Sequence, residues 1–157
     1  MIGRDPGGGR PLTAGERAIA GEVFGAALAL DPIRIHRARW WPFQPRQVAM
    51  APDGHLWFHP AGDLWRDDYS EAARPLESLF VHELVHVWQH QRGIRLPLRR
   101  HPFCRYAYTL VPGRPLARYG IEQQAMIVQH AWDRLRRGQP LEEYAAPIDE
   151  LRGTLAS

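Results

Sequence analysis

The sequence predicts an α+β domain in which a small antiparallel sheet packs on a long apolar helix, with further helices completing the core. Two strongly apolar helical patterns, at 76–92 and 121–137, and several short alternating segments before residue 60 predict this class. The 157 residues suffice for one modest core, and neither an internal repeat nor a linker divides them. We therefore expect a single domain over 11–157, preceded by a Gly-rich, disordered lead-in over 1–10.

The first predicted element is a helix over residues 14–30. Thr13 followed by Glu16 is typical of a capping box, in which the two side chains bond each other's backbone N–H groups. Asp31 and Pro32 end the pattern, because proline cannot continue a helix.

Three short strands are predicted next, because apolar and polar residues alternate over a few positions. The turn residues Pro52, Asp53 and Gly54 separate the second strand from the third, which predicts an antiparallel hairpin. We expect the third strand to form the sheet edge above the cleft, where an extended peptide can pair with it. The predicted strands cover 33–36, 47–51 and 56–59.

The second half of the chain is dominated by helical patterns. The longest lies between Pro75 and Gly93 and contains no internal Pro or Gly, so it predicts a core helix. Another helix is predicted over 121–137, and a short final one over 141–151 is expected to be interrupted at Pro147.

A possible metal motif, His-Glu-Leu-Val-His, lies within the longest helix. His82 and His86 are four residues apart, so they share one helix face and can bind the same Zn²⁺. Glu83 then projects beside the metal as a general base for water, which is a zincin-like arrangement. The elongated metzincin signature needs Gly and His where this chain has Gln89 and Arg92, so that branch is excluded.

A catalytic zinc usually takes three protein ligands and keeps one position for water, so a third ligand is needed. His90 is excluded because it lies eight residues from His82, about 12 Å along the helix axis. Glu122 begins the next helix, and a helix packed on the motif helix can present such a carboxylate to the metal. We therefore prefer Glu122 as the third ligand. His101 is the alternative, but nothing in its Pro- and Arg-rich surroundings orients it.

Two stretches carry a family resemblance: His-Glu-Leu-Val-His-Val-Trp-Gln at 82–89 and Tyr-Gly-Ile-Glu-Gln-Gln-Ala at 119–125. Together they resemble small bacterial Rhs- or Vgr-related proteins with a minimal gluzincin core, which are found near secretion-system or phage-tail-like genes. The similarity extends from about Pro11 to Gly138. The resemblance implies a zinc metallopeptidase with a secretion-system protein as a partner, and it implies no particular substrate.

The expected mechanism assigns Glu83 to accept the proton of the attacking water and to deliver it to the leaving amine. Tyr119 is the first candidate for the donor that stabilises the oxyanion. Other candidates for this donor are Tyr106, Tyr108 and His130. Three glutamines are candidates for orienting the imidazoles, namely Gln89, Gln123 and Gln124.

Composition limits the binding partners and the cellular location that we expect for the protein. The net charge of +3 is mild and no nucleic-acid-binding module is present, so we expect no nucleic-acid partner. No run of about 18 apolar residues exists, so we expect no membrane partner. A single cysteine, Cys104, excludes an intrachain disulfide framework, and we expect a cytoplasmic location, with export by a route without a cleaved signal peptide as the alternative.

The predicted function is zinc-dependent hydrolysis of peptide bonds in a peptide or protein substrate. The alternative is a non-catalytic adaptor or structural module of a secretion system that zinc stabilises. An intact Glu83 favours the enzyme, because a structural zinc site needs no general base. A helical protein without any metal is the third interpretation, and it requires the histidine pair to be accidental.

Overall fold

The computed structural model describes residues 8–96 and 106–153. Helices alternate with irregular segments, and a very small sheet lies between the first and second long helices. In chain order the regular elements are α1 (Ala14–Phe24), β1 (Ile35–His36), β2 (Leu56–Trp57), α2 (Arg74–Gln91), α3 (Ile121–Arg136) and α4 (Ala145–Leu151). Short 3-10 helices cover Tyr69–Glu71, Leu116–Arg118 and Glu142–Tyr144.

Helix α1 begins as predicted and ends earlier. The Glu16 backbone N–H donates to Thr13 Oγ1 at 3.1 Å, and the Thr13 N–H donates to Glu16 Oε1 at 2.9 Å, which confirms the capping box. The helix ends at Phe24, not at residue 30, because Gly25 adopts a φ of 56° that is unfavourable for other residue types.

The segment before α1 is held to the domain by a buried carboxylate. Arg10, the last residue of the predicted lead-in, makes two bonds to Glu16, at 2.7 and 3.0 Å. Glu16 is fully buried and also accepts the Tyr69 N–H at 3.0 Å. Arg10 also pairs with Ile35 through antiparallel backbone bonds, so the chain is already part of the sheet region at this residue.

The sheet differs from the predicted antiparallel hairpin. β1 and β2 pair in parallel, with Ile35 opposite Leu56 and His36 opposite Trp57. Antiparallel pairing occurs in two isolated bridges, of which Met50 to Trp57 corresponds to the predicted hairpin. The two strands are joined by a loop of about 20 residues. A connection of this length can cross over and start β2 beside the start of β1, which a tight turn cannot do.

The expected edge position of β2 was also wrong. Its backbone N–H groups bond β1 on one side, as Leu56 to Arg34 O at 3.0 Å and Phe58 to His36 O at 2.9 Å. On the other side Trp57 exchanges two bonds with Met50, at 2.7 and 3.0 Å. A substrate peptide therefore has no free β2 edge to pair with.

Helix α2 is the centre of the core. Every residue from Phe80 to Gln89 is buried, so this part of the helix is covered on all sides. Pro75 lies in its first turn, where a missing N–H costs nothing. Helix α3 packs along α2, and Trp132 Nε1 donates to the buried Glu77 Oε1 at 2.7 Å between the two helices.

The last helix, α4, packs against α3. α4 follows directly on a 3-10 turn and is not interrupted at Pro147, because that proline occupies its first turn. Within residues 8–96 and 106–153, no helix is long and apolar enough to cross a membrane.

Candidate metal centre

The packing of α3 on α2 brings three predicted metal ligands together. His82 Nε2 lies 3.3 Å from Glu122 Oε2, and His86 Nε2 lies 3.2 Å from Glu122 Oε1. The three side chains are buried, with 7%, 0% and 3% of their residue surfaces exposed for His82, His86 and Glu122. The two histidines come from successive turns of α2, and the carboxylate comes from the first turn of α3.

These separations fit a tetrahedral metal. Zinc lies about 2.0–2.2 Å from histidine nitrogens and carboxylate oxygens, and tetrahedral angles then separate two ligand atoms by about 3.3 Å. The observed nitrogen-to-oxygen distances of 3.2 and 3.3 Å, each to a different oxygen of Glu122, are close to this value, and one ligand atom from each residue lies within 4.8 Å of the others. The three side chains therefore lie close enough together to bind one zinc ion.

The orientation of the His86 ring supports the same conclusion. A chain of amides fixes it: Gln124 Nε2 donates to Tyr119 O at 2.9 Å, and Gln89 Nε2 donates to Gln124 Oε1 at 2.9 Å and to Ile121 O at 3.1 Å. Because backbone carbonyls only accept, Gln89 must turn its Oε1 to His86 Nδ1, 2.9 Å away. His86 Nδ1–H therefore donates to Gln89, and Nε2 is turned towards Glu122.

His86 Nε2 has no hydrogen-bond partner in the described part of the chain. It is buried, and Glu122 Oε1 lies 3.2 Å away. A buried ring nitrogen beside a carboxylate oxygen calls for a proton or a metal cation between the two atoms. This is the arrangement that a metal ion would satisfy.

His82 is oriented in a similar way from α3. Its Nδ1 lies 2.8 Å from Gln129 Oε1, so the amide oxygen accepts from Nδ1 and directs Nε2 towards Glu122. Sequence reasoning missed Gln129. The available signal was its spacing, because a residue seven positions after Glu122 lies two turns further along the same helix face.

The charges around His82 favour a cation. Burial lowers its pKa, but the hydrogen bond with Glu122 and the negative charges of Glu83 and Glu122 outweigh burial and raise the pKa above the usual 6.5. Glu83 is buried, with 4% of its surface exposed, and lies next to His82 in α2. Two carboxylates thus lie beside two imidazoles, and their negative charge attracts either a proton or a metal cation.

Comparison with known proteins places this chain in a family. No family model matches the chain. The chain is 37% identical over 137 residues to the type VI secretion system spike protein VgrG2b of Pseudomonas aeruginosa, a match that covers 81% of this chain and 13% of that protein. The structure is similar to the effector domain of Pseudomonas aeruginosa VgrG2b, with a TM-score of 0.73 and 31% identity over 98% of this chain and 87% of that domain.

The chain belongs to the family of the VgrG2b effector domain. It spans about an eighth of the length of the VgrG2b spike protein, so the similarity concerns the effector part of that longer molecule.

In this member of the VgrG2b effector-domain family, the predicted catalytic Tyr119 is part of the scaffold. Its hydroxyl accepts the Val111 N–H at 3.0 Å, and its backbone carbonyl accepts from Gln124. The side chain is 6% exposed and is covered by the guanidinium of Arg114, 5.4 Å from the ring centre. These contacts give Tyr119 a supporting role, and its role in oxyanion stabilisation stays a prediction.

Two of the alternative donors form a pair of their own. Tyr108 Oη lies 2.6 Å from His130 Nδ1 and 3.1 Å from Tyr144 Oη. Burial lowers the pKa of His130 below 6.5 and outweighs the negative charge of Asp133, which raises it, so the imidazole is neutral at pH 7. Burial raises the pKa of Tyr108 far above its usual value, so Tyr108 stays protonated and donates to His130.

The other predicted residues lie apart from the centre. His90 is exposed on the last turn of α2, in agreement with its exclusion as a ligand. Gln123 caps α3 by accepting the Gly120 N–H at 2.9 Å and donates to Ala107 O at 2.7 Å, so it does not orient an imidazole. The alternative ligand His101 lies outside the described residues.

Proposed function

We propose that this chain is a zinc-dependent peptidase domain that acts with a type VI secretion system. The observation that carries the proposal is the buried cluster of His82, His86 and Glu122 with ligand separations suited to one zinc ion. Glu83 lies beside the cluster in the same helix, which is the position of a general base.

The chemistry divides between the metal and the protein. Bound zinc would supply a Lewis acid that polarises the scissile carbonyl and lowers the pKa of water. Glu83 accepts a proton from the attacking water and later gives it to the leaving amine. Gln89 and Gln129 keep the two imidazoles in the orientation that leaves Nε2 free for the metal.

Oxyanion stabilisation has two candidates. Tyr119 is the sequence prediction, and its hydroxyl accepts the Val111 N–H while keeping its own proton to donate. The other candidate is the Tyr108–His130 pair, since His130 follows Gln129, whose side chain lies 2.8 Å from His82 Nδ1. Tyr119→Phe and His130→Ala separate the two, because loss of the stabilising donor lowers kcat by about a hundredfold while zinc content is unchanged.

The secretion context comes from the relatives. VgrG2b is named as a spike protein of a type VI secretion system, and the similar solved domain is named as its effector domain. We infer that this domain is carried by or delivered with such a spike, which would export it without a cleaved signal peptide. Its substrate would then be a peptide or protein met after delivery.

One experiment tests the enzymatic proposal. Wild type and Glu83→Gln are purified with zinc supplied, their metal content is measured by mass spectrometry, and both are incubated with an unbiased peptide library. We expect one zinc per chain in both proteins and cleavage by wild type alone. His82→Ala should lose zinc, whereas His90→Ala, an exposed histidine in the same helix, should retain it.

The alternative is a non-catalytic adaptor that zinc stabilises. Zinc in both proteins with cleavage in neither favours the adaptor, because a structural site needs the ligands but not the base. A wild type that binds no zinc when zinc is supplied contradicts both the peptidase and the adaptor.

A further inference from the structure

A loop far from the metal ligands in sequence exposes aromatic side chains. We call residues 37–48 the aromatic loop. Phe43 is 75% exposed and Trp41 is 44% exposed, and their rings meet edge to face with centres 5.4 Å apart. Val48, at the end of the loop, is 41% exposed. Three large apolar side chains in one short loop are unusual on a water-exposed surface and indicate an interaction site.

The exposure of these rings is built into the fold. Gln44, which follows Phe43 in the chain, is only 3% exposed. Its Oε1 accepts the Trp40 N–H at 2.8 Å, and its Nε2 donates to Val48 O at 2.9 Å and to Trp57 O at 3.0 Å. A buried glutamine thus holds the backbone on both sides of the two rings to β2, while the rings themselves are exposed.

The same loop is strongly basic. Arg37, Arg39 and Arg46 lie within it, and residues 37–48 contain no acidic side chain. None of these three arginines forms an ion pair with a carboxylate of residues 8–96 or 106–153. Arg39 and Arg46 are both exposed, and Arg39 Nη1 donates to Pro42 O at 3.3 Å, so its guanidinium lies beside the segment that carries Trp41 and Phe43.

We propose that the aromatic loop docks this domain on an anionic lipid surface. Trp and Phe side chains favour the headgroup level of a bilayer, and nearby arginines are attracted to acidic lipids. A protein interface would have to provide matched acidic groups and about 800 Å² of complementary surface on each side. Anionic headgroups neutralise three like charges without any matched shape, so lipid fits this surface better.

Peripheral docking does not require a spanning helix. The sequence predicts no membrane partner because it contains no apolar segment long enough to cross a bilayer. A loop that only inserts side chains at the bilayer surface needs no such segment. The proposal is independent of peptidase activity, because it concerns a different surface.

Co-sedimentation with vesicles tests the proposal. Wild type is mixed with vesicles of phosphatidylcholine alone and with vesicles that contain 30% phosphatidylglycerol. We expect binding to the anionic vesicles that falls as salt is raised. Arg39→Gln combined with Arg46→Gln should weaken binding about thirtyfold, which corresponds to about 1 kcal/mol for each arginine. Trp41→Ala combined with Phe43→Ala should weaken binding about tenfold or more.

Matched variants control for charge and apolar area. Arg17→Gln with Arg137→Gln removes two exposed charges, one in α1 and one just after α3, and Val111→Ala with Leu135→Ala removes two exposed apolar side chains elsewhere. Both controls should bind like wild type. The proposal is overturned if wild type does not bind anionic vesicles, which would favour a protein partner for the loop, or if the controls lose as much binding as the loop variants. Circular dichroism checks that each variant is folded.

Discussion

Replacement of Gln89 by methionine tests how the metal centre is held. Gln89 is completely buried and joins His86 Nδ1, Gln124 Oε1 and Ile121 O through one amide group. Gln89→Met preserves much of the volume but removes all three bonds. The Ile121 carbonyl lies at the start of α3 and still accepts within the helix, so two groups, His86 Nδ1–H and Gln124 Oε1, lose their partner.

The magnitude follows from these two groups. A buried polar group without a partner costs about 1–3 kcal/mol, so we expect Gln89→Met to lower the free energy of unfolding of the metal-free protein by about 2–6 kcal/mol. His86 also loses the acceptor that directs its Nε2 lone pair to the metal. Loss of such a partner weakens metal binding by about 10- to 100-fold.

Two measurements separate stability from metal affinity. Urea denaturation of the metal-free protein gives the free energy of unfolding, and competition with a chromophoric chelator, below the unfolding transition, gives the zinc affinity. Gln139→Met is the control, because Gln139 is exposed just after α3. The reasoning is refuted if zinc affinity in Gln89→Met stays within threefold of wild type while stability falls, since Gln89 would then support packing and not His86.

Three further predictions concern the scaffold. Trp132→Phe should lower the free energy of unfolding by about 1–3 kcal/mol, because it removes the 2.7 Å bond to the buried Glu77; urea denaturation measures this loss. Arg10→Met should cost about 2 kcal/mol in the same assay, because it breaks a pair with the fully buried Glu16, although Arg10 is 21% exposed. Asp68 adds a pH dependence: burial raises its pKa, but bonds from the Ser70 and Thr13 side chains and the Ser70 N–H outweigh burial and lower the pKa below 3.8. Its contribution to stability is therefore complete above about pH 4 and is lost as the pH falls through the lower folded-state pKa, so Asp68→Asn should flatten the acid side of a stability-against-pH curve.

Exposed residues of the same types provide the controls. Trp41→Phe, Arg17→Ala and Asp63→Asn should each change the free energy of unfolding by less than about 0.5 kcal/mol. An effect of Trp41→Phe equal to that of Trp132→Phe would show that the bond to Glu77 contributes nothing. If Asp63→Asn flattens the acid limb as much as Asp68→Asn does, the pH dependence does not arise from the bonds at Asp68.

The elements that follow local rules were predicted closely. α2 was predicted between Pro75 and Gly93 and extends over Arg74–Gln91, and α3 was predicted over 121–137 and ends at Arg136. Both helices depend on periodicity and on Gly or Pro at their ends, which are local properties. α1 was predicted too long, because its Ala- and Leu-rich continuation is compatible with a helix while Gly25 adopts a positive φ and stops it.

The sheet was predicted poorly for a physical reason. Its strands are two residues long, and their parallel pairing joins segments about 20 residues apart. Such pairings are determined by how the intervening loop packs and not by alternation within each strand. The same holds for the aromatic loop: its sequence shows the aromatic and basic residues, but only the tertiary structure shows that the two rings are exposed and that Gln44, directly after Phe43 in the chain, is buried.

The sequence by itself determined the relation of His82, Glu83 and His86, because four residues make about one helical turn and the geometry of one helix is nearly invariant. It also made Glu122 the preferred third ligand. Only the tertiary structure decided that the Glu122 carboxylate lies 3.2–3.3 Å from both imidazoles, and that Gln89 and Gln129 orient them. Distances between two helices depend on the packing of all the side chains between them, and no local pattern contains that information.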